Sequence, residues 1–315
     1  MIKNFIGLDI GGTKCAVVLA SVDRGIQIAD KISFATASME GPEKTIAHLM
    51  DTIDIILDKN GVKINQITAI GISCGGPLDS RRGLILSPPN LPGWHNITLP
   101  EMMSERFGVP AFLQNDANAC ALVEWKLGAG KGMNDMIFLT MGTGMGSGVI
   151  SEGQLLRGHN DMGGEIGHLR LMEDGPMGFG KAGSFEGFTS GGGIAIQART
   201  FTKELISQGR EPEWSKDGHT ADGLDAKLMA DYAKKGNKDA QLFFTDIARM
   251  LGRGLALLVD AFNPQRMIIG SIFVRCEELL RPSMEEELKK EAIPYSLEGL
   301  SIVPAQTGEE LGDLA

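Results

Sequence analysis

Alternation of apolar and polar positions divides the chain into strands and helices in a recognisable order. Phe5–Ile10 and Cys15–Ala20 are apolar, β-rich runs separated by Gly-Gly-Thr-Lys, which predicts a hairpin. Ile26–Phe34 predicts a third strand nearer an edge. Between Glu43 and Lys59 the apolar residues Ile46, Leu49, Met50, Ile53, Ile56 and Leu57 share one helical face, and Asn60-Gly61 ends that helix. Ile67–Ile72 predicts a buried strand. Thr98 with Glu101 has the form of a capping box for a helix to Phe107, stopped by Gly108. Pro110–Leu113 is a short strand, and a helix is expected from Asp116 to Leu127, closed by Gly128.

The pattern then begins again. Met136–Met141, a Gly-Thr-Gly-Met-Gly turn and Ser147–Ile150 form a second strand–turn–strand unit. Leu8-Asp9-Ile10-Gly11-Gly12-Thr13 lies in register with Leu139-Thr140-Met141-Gly142-Thr143-Gly144. This internal repeat implies two similar α/β lobes, each opening with a hairpin whose tip is rich in Gly and Thr. Helices are expected over Asp222–Lys235 and Asp239–Ala261, the second stopped by Asn263-Pro264. Strand Arg266–Gly270, a Pro-interrupted helical stretch Cys276–Lys290 and a last strand Leu300–Pro304 complete the chain. The Lys/Glu-rich run Glu285–Glu291 reads as a solvated helix face. Strands alternating with helices predict parallel connections beyond the hairpins. The expected domains are a small lobe over residues 1–115, completed by the segment 305–315, and a larger lobe over 116–304.

Composition narrows the function classes. The 315 residues are 43% hydrophobic and 22% charged, values of an ordinary globular chain. No apolar run approaches the roughly 20 residues that span a bilayer, and the start lacks an export signal, so a cytoplasmic protein without membrane partners is expected. The net charge of −10, with no Lys/Arg cluster, argues against a nucleic-acid partner. Cys15, Cys74, Cys120 and Cys276 are scattered and form no CxxC, which fits a reducing compartment. Glycine is the outlier: 42 residues, about twice the usual frequency, clustered beside apolar strands. Such glycines let backbone approach a ligand closely.

Three groups of residues could carry chemistry. Successive amides at the two hairpin tips can form anion-binding nests, to which Thr13 and Thr143 add hydroxyls. Asp9, just before the first tip, makes sense beside phosphate only if a cation such as Mg²⁺ offsets the repulsion. Neither tip is a Walker loop, because GxxxxGK[ST] is absent. Lys14 reads equally as a phosphate contact or as the exposed side of a strand. Asp116, behind Asn115 at a strand end, reads either as a helix N-cap or as a base that takes the proton of a substrate hydroxyl. Glu165-Ile166-Gly167-His168 places two polar side chains on a Gly-rich loop. The spacing is half of a di-iron motif, but no second copy exists; the pair suits vicinal hydroxyls better, with a plain solvated loop as the alternative. Glu186 by itself is uninformative.

Five motifs in order resemble the ROK family of sugar kinases and sugar-responsive repressors. They are Leu8–Lys14, Pro89-Asn90-Leu91-Pro92-Gly93-Trp94, Asn115-Asp116-Ala117-Asn118-Ala119, Gly142-Thr143-Gly144-Met145-Gly146 and Gly164-Glu165-Ile166-Gly167-His168. The resemblance runs from about residue 5 to 310. It implies a two-lobed actin-like ATPase fold, related to ribonuclease H, with a sugar in the central cleft. It also implies ATP-dependent phosphorylation of a hexose hydroxyl, glucose first, with N-acetylglucosamine, N-acetylmannosamine, mannose and fructose as alternatives. Asp116 would be the catalytic base. Gly76, Asn90, Asn115, Asp116, Glu165, His168 and Glu186 would hold the sugar. Asp9, Gly11, Gly12, Thr13, Lys14, Thr143 and Gly144 would surround Mg·ATP. A homodimer is a further expectation of the resemblance, and lobe closure over the sugar would exclude water.

The chain also departs from the family pattern. Many relatives carry a zinc loop, C-x-C-G-x-x-G-C-x-E, whose three cysteines are replaced here by Met177, Phe179 and Ser184. His168 alone cannot complete a four-ligand zinc site. The expectation is therefore no structural zinc, with packing of Met177 and Phe179 ordering the loop. Gly75 stands where relatives usually have proline, and Met267–Gly270 runs into Ser271 where they have a further glycine near the nucleoside. The repressors of the family carry an N-terminal helix-turn-helix. The first strand here begins at about Phe5, which makes a sugar-sensing regulator the second reading and a peptide-stimulated actin-like ATPase the third.

Overall fold

The computed structural model describes residues 2–23, 25–36, 41–308 and 311–315. The chain divides into two compact units, Met1–Val123 with Arg157–Gly163 and Glu309–Ala315, and Glu124–Leu156 with Gly164–Gly308. The first unit thus runs past the expected boundary at residue 115 and takes in a short excursion from the second half. The closing segment is also divided: 305–308 stay with the second unit.

The first unit is built on β1 (Lys3–Ile10), β2 (Lys14–Val22), β3 (Ile26–Ala35), β4 (Ile67–Cys74) and β7 (Ala111–Asn115), in sheet order β3-β2-β1-β4-β7. The strands β1, β2 and β3 pair antiparallel, whereas β4 and β7 run parallel to β1. A small antiparallel pair, β5 (Leu78–Asp79) and β6 (Leu84–Ile85), follows β4. Helix α1 (Pro42–Asn60) buries Ile46, Leu49, Ile53, Ile56 and Leu57, the face read from the sequence, and ends on Gly61 in left-handed conformation. Each such side chain contributes about 1.5–3 kcal/mol by leaving water. Helix α2 (Leu99–Phe107) starts after Thr98, but the Thr98 side chain makes no capping bond, so the capping box is not formed. Helix α3 (Asp116–Lys126) follows β7 without a loop. Near the C-terminus Asp313 pairs with Lys31 of β3, tying residues 311–315 to this sheet.

The second unit repeats the plan. β8 (Met136–Met141), β9 (Met145–Ser151), β10 (Gln154–Leu155), β13 (Arg266–Ser271) and β14 (Ser301–Pro304) lie in the order β10-β9-β8-β13-β14. Again the hairpin is antiparallel and the later strands are parallel to its first strand. The repeat seen in the sequence is therefore a repeat of connectivity. Helices α7 (Ala226–Lys234), α8 (Lys238–Phe262) and α9 (Ile272–Glu291) cover this sheet with a core that includes Leu139, Phe244, Leu251 and Phe273. Helix α7 starts later than Asp222 because Asp225 caps it, accepting from Leu228 N–H at 2.7 Å. Helix α9 is interrupted at Cys276, whose φ of −124° and ψ of 17° are not helical, so two helical stretches meet there. Glu287 on it is buried and pairs with Arg253 at 3.0 Å, so the 285–291 face is not wholly solvated.

A helix the glycine-rich sequence concealed is α5 (Gly191–Ser207), preceded by the short α4 (Phe185–Thr189). Its opening glycines are steric necessities: a Cβ on Gly193 would stand 2.0 Å from the Gly187 carbonyl oxygen. Where the chain passes between units, Glu124 is fully buried and its carboxylate takes four hydrogen bonds. The donors are the amides of Ala129, Gln306 and Thr307 and the Thr307 hydroxyl, at 2.6–2.9 Å.

Candidate functional site

The first unit collects its predicted residues at the C-terminal ends of β1, β4 and β7. At the hairpin tip, Gly11 N–H donates to the Lys14 carbonyl at 3.1 Å, while the Thr36 hydroxyl donates to the Gly11 carbonyl at 2.6 Å. Gly12 has no room for a side chain. A Cβ there would lie 2.4 Å from the Asn90 carbonyl oxygen and 2.5 Å from the Asn90 Cβ. The loop carrying Asn90 thus rests directly on the tip, anchored by Leu91 and a fully buried Trp94, while Asn90 itself is exposed. Thr13 and Lys14 are exposed at the tip.

Asn115 and Asp116 both meet amides of the first turn of α3. Asn115 Oδ1 accepts from the amides of Ala117 and Asn118 at 3.0 and 3.2 Å, which makes it the residue that satisfies the first turn of α3. Asp116 Oδ1 accepts from Ala117 N–H at 2.7 Å. Its Oδ2 and the Asn90 Nδ2 both lie 3.9 Å from the point where Gly75 would carry a Cβ, and Asn115 Nδ2 lies 3.5 Å from the matching point on Gly76. A carboxylate and two amides thus lie close to the Gly75-Gly76 backbone. Water reaches the Asp116 side chain, but the crowded surroundings thin its solvation. That desolvation raises its pKa, against the lowering effect of the Ala117 amide. Asp9 is pushed up from 3.8 to about 6, first by burial, then by the charges of Asp116 and Asp313, with Lys31 and Lys14 partly offsetting them.

The second unit gathers the other half of the predicted set around its own tip. The carbonyls of Gly142 and Thr143 accept from the amides of Gly191 and Gly192 at 2.7 and 3.1 Å, seating the tip on the first turn of α5. Glu186 Oε2 accepts from Met145 N–H at 2.9 Å. The Glu165–His168 segment is a 3₁₀ turn from Ile166, and the turn is pressed on the same strand: a Cβ on Gly167 would stand 2.5 Å from the Met145 carbonyl oxygen. Glu165 is exposed and His168 half-buried. The His168 ring meets Phe179 edge to face at 4.9 Å, and its carbonyl accepts from Lys181 Nζ at 2.6 Å.

The loop after His168 is not ordered by burial of Met177 and Phe179, which are 54% and 65% exposed. Backbone pairing holds it instead. Met177–Gly178 and Lys181–Ala182 form a two-stranded ribbon, Arg170 donates to the carbonyls of Glu173 and Ala182, and Gly183 N–H donates to the Pro176 carbonyl. Buried Phe185 then anchors its end. Among the described residues no three His, Cys, Asp or Glu side chains gather into a metal-binding group.

A cavity of about 740 Å³ opens beside the second tip, lined by Thr143, Gly191, Gly192, Lys227, Ser271 and Arg275 among others. That volume suits a nucleotide-sized ligand. Sequence reasoning placed Thr143 here but missed Lys227 and Arg275, since charged residues on α7 and α9 look like solvated helix faces. Ser271, noted as a departure from glycine, holds φ 59° and ψ −113°, a region nearly reserved for glycine.

Comparison with known proteins places these residues in context. The model of the ROK family matches residues 5–314. A glucokinase of Thermotoga maritima is 32% identical over 99% of this chain and 95% of its own. The structure of a ROK family glucokinase from Streptomyces griseus, in complex with glucose and AMPPNP, superposes with a TM-score of 0.75 at 30% identity, over 99% of this chain and 97% of that one. A xylose repressor of Caldicellulosiruptor bescii is 28% identical over 96% of this chain and 74% of its own length. No helix among the described residues is long and apolar enough to cross a membrane.

Proposed function

Because the chain belongs to the ROK family, we propose that it is an ATP-dependent sugar kinase that phosphorylates a hexose hydroxyl, glucose first among the candidates. The observation that carries the reading is the geometry at the start of α3. Asn115 satisfies the helix turn, and Asp116 keeps one oxygen close to the Gly75 backbone beside Asn90. A carboxylate serving only as a helix cap would not need that arrangement.

The sugar oxygen attacks the γ-phosphorus of ATP, its proton passes to Asp116, and the bond to ADP breaks. A base with a raised pKa is a better proton acceptor, provided it is ionised at the working pH. Candidates for the sugar hydroxyls are Asn90, Asn115 and Gly76 of the first unit and Glu165, His168 and Glu186 of the second. The second tip with Thr143 and Gly144, together with the adjoining cavity, would take the nucleotide. Gly11, Gly12, Thr13 and Lys14 of the first tip are further candidates for phosphate contact. The donor set fits Mg²⁺, because Asp9 is a carboxylate whose ionisation its surroundings oppose. When bound, Mg²⁺ would neutralise phosphate charge and favour the ionised Asp9. Replacement of the family's three zinc-loop cysteines supports a kinase without structural zinc.

The test is release of ADP, in a coupled assay with Mg·ATP, across a panel of hexoses and N-acetylhexosamines. Turnover should depend on sugar and be highest with glucose. Asp116→Asn should lower kcat at least about 100-fold while sugar affinity stays within about threefold. The wild-type rate should rise with pH as Asp116 ionises, and the residual rate of the variant should lack that limb. A variant rate within about threefold of wild type would remove Asp116 as the base. The similarity to the repressor supports a second reading, a sugar-responsive regulator. Sugar binding without any ADP release, together with specific retardation of DNA at physiological salt, would favour it.

A further inference from the structure

The main chain of Met145 is gripped from two sides by elements assigned to the sugar. Its N–H donates to Glu186 Oε2 at 2.9 Å. Its carbonyl is abutted by Gly167 of the Glu165–His168 turn, so closely that a Cβ would stand 2.5 Å away. Met145 is also the residue on which the Gly142–Gly144 tip closes, since Met141 and Met145 are the last pair of the β8–β9 ladder. Gly144 itself lies against the same carboxylate: a Cβ there would be 2.9 Å from Glu186 Oε2. The Glu186 side chain is half-buried, and no described residue donates a hydrogen bond to its second oxygen, Oε1.

We propose that Glu186 is a positioning residue that couples sugar occupancy to the affinity of the phosphate tip, through its bond to Met145; this rests on the kinase reading above. A sugar hydroxyl donating to Oε1 restrains the carboxylate. The restrained Oε2 then fixes the Met145 amide, and with it the Gly142–Gly144 backbone that receives the phosphates. The Gly167 contact adds a second restraint from the same ligand, because the turn carrying Glu165 and His168 can no longer retreat from the Met145 carbonyl. Order imposed by the first ligand lowers the cost of ordering for the second. Reciprocity follows: nucleotide on the tip must strengthen sugar binding by the same factor. The arrangement favours phosphate binding when an acceptor is present, and so disfavours transfer to water.

The experiment is calorimetric titration of the full chain with the β,γ-imido analogue of ATP and Mg²⁺. It is run with and without saturating glucose, or with whichever hexose of the panel is turned over fastest. In the wild type the sugar should tighten nucleotide binding at least about fivefold. Glu186→Ala should reduce that factor below about twofold. Glu186→Gln should restore much of it, since the amide oxygen can still accept from Met145 N–H. Gly144→Ala keeps every sugar-facing side chain but drives the carboxylate off the tip, and should also abolish the enhancement. A wild-type factor in either alanine variant overturns the coupling role. Wild-type protein that turns over hexose yet shows no enhancement overturns this inference and leaves the kinase reading intact. Failure to bind or phosphorylate any hexose overturns both.

Discussion

Replacing Asp9 by Asn removes a carboxyl whose charge folding opposes. Its folded pKa of about 6, against an ordinary 3.8, means that the native state holds this proton more tightly than the unfolded chain does. The stability associated with that proton is fully present below pH 3.8 and is lost as pH rises through about 6. At about 1.36 kcal/mol per tenfold change in proton affinity, the difference approaches about 3 kcal/mol. Water still reaches the half-buried side chain, which lowers the expected effect to about 1–2 kcal/mol. Asp9→Asn keeps the shape and discards the charge. In urea unfolding without Mg²⁺ it should exceed the wild type by that amount at pH 7.5, and the gap should shrink at pH 4.5. Adding Mg·ADP should stabilise the wild type more than the variant, and phosphorylation by the variant should fall sharply. An equal gap at both pH values, or a less stable variant at pH 7.5, would refute the claim that Asp9 is kept charged for a cation and not for the fold.

Two further substitutions test the steric side of the site. Gly12→Ala must move the Asn90 backbone, because its Cβ would meet the carbonyl at 2.4 Å. The KM for sugar should rise at least about tenfold, given that misplacement by about 1 Å can cost 100-fold; an unchanged KM in steady-state kinetics would separate the Asn90 loop from sugar binding. Ser271→Gly relieves a residue held at φ 59°, ψ −113°. Relief of about 1–3 kcal/mol outweighs the added unfolded-state entropy of glycine, so Tm should rise by a few degrees in a thermal melt. A lower Tm would show that the serine side chain stabilises more than its backbone costs.

What the sequence revealed was what rests on local physics. The two hairpins were legible because apolar strands flank Gly/Thr turns, and α1 and α8 because their apolar residues repeat at helical spacing. Family motifs then nominated Asn90, Asn115, Asp116, Glu165, His168 and Glu186 as candidates. The sequence read Asp116 as either a cap or a base and did not single out Asn115 as the cap of α3, because only the fold shows which oxygen meets which amide. Helix α5 was hidden by its glycines, which are required by contact with the tip and with α4, not by a turn. A signal was present in Ser190, which caps the helix, and in Ile194, Ala198, Thr202 and Leu205, which recur at helical spacing and are buried. The zinc-loop replacements suggested apolar packing by Met177 and Phe179. Arg170 and a short ribbon hold that loop, an alternative that depends on tertiary geometry.

The carboxylate of Glu124 bears on where this protein can be cut. Three of its four donors come from Gln306 and Thr307, at the very end of the second unit. A fragment ending at Thr307 or beyond carries its own neutralising shell, whereas one stopped at Ala305 would leave an anion sealed in the interior with a single amide, a defect worth several kcal/mol. Two residues of apparently disposable tail therefore decide whether that half of the molecule can be studied in isolation.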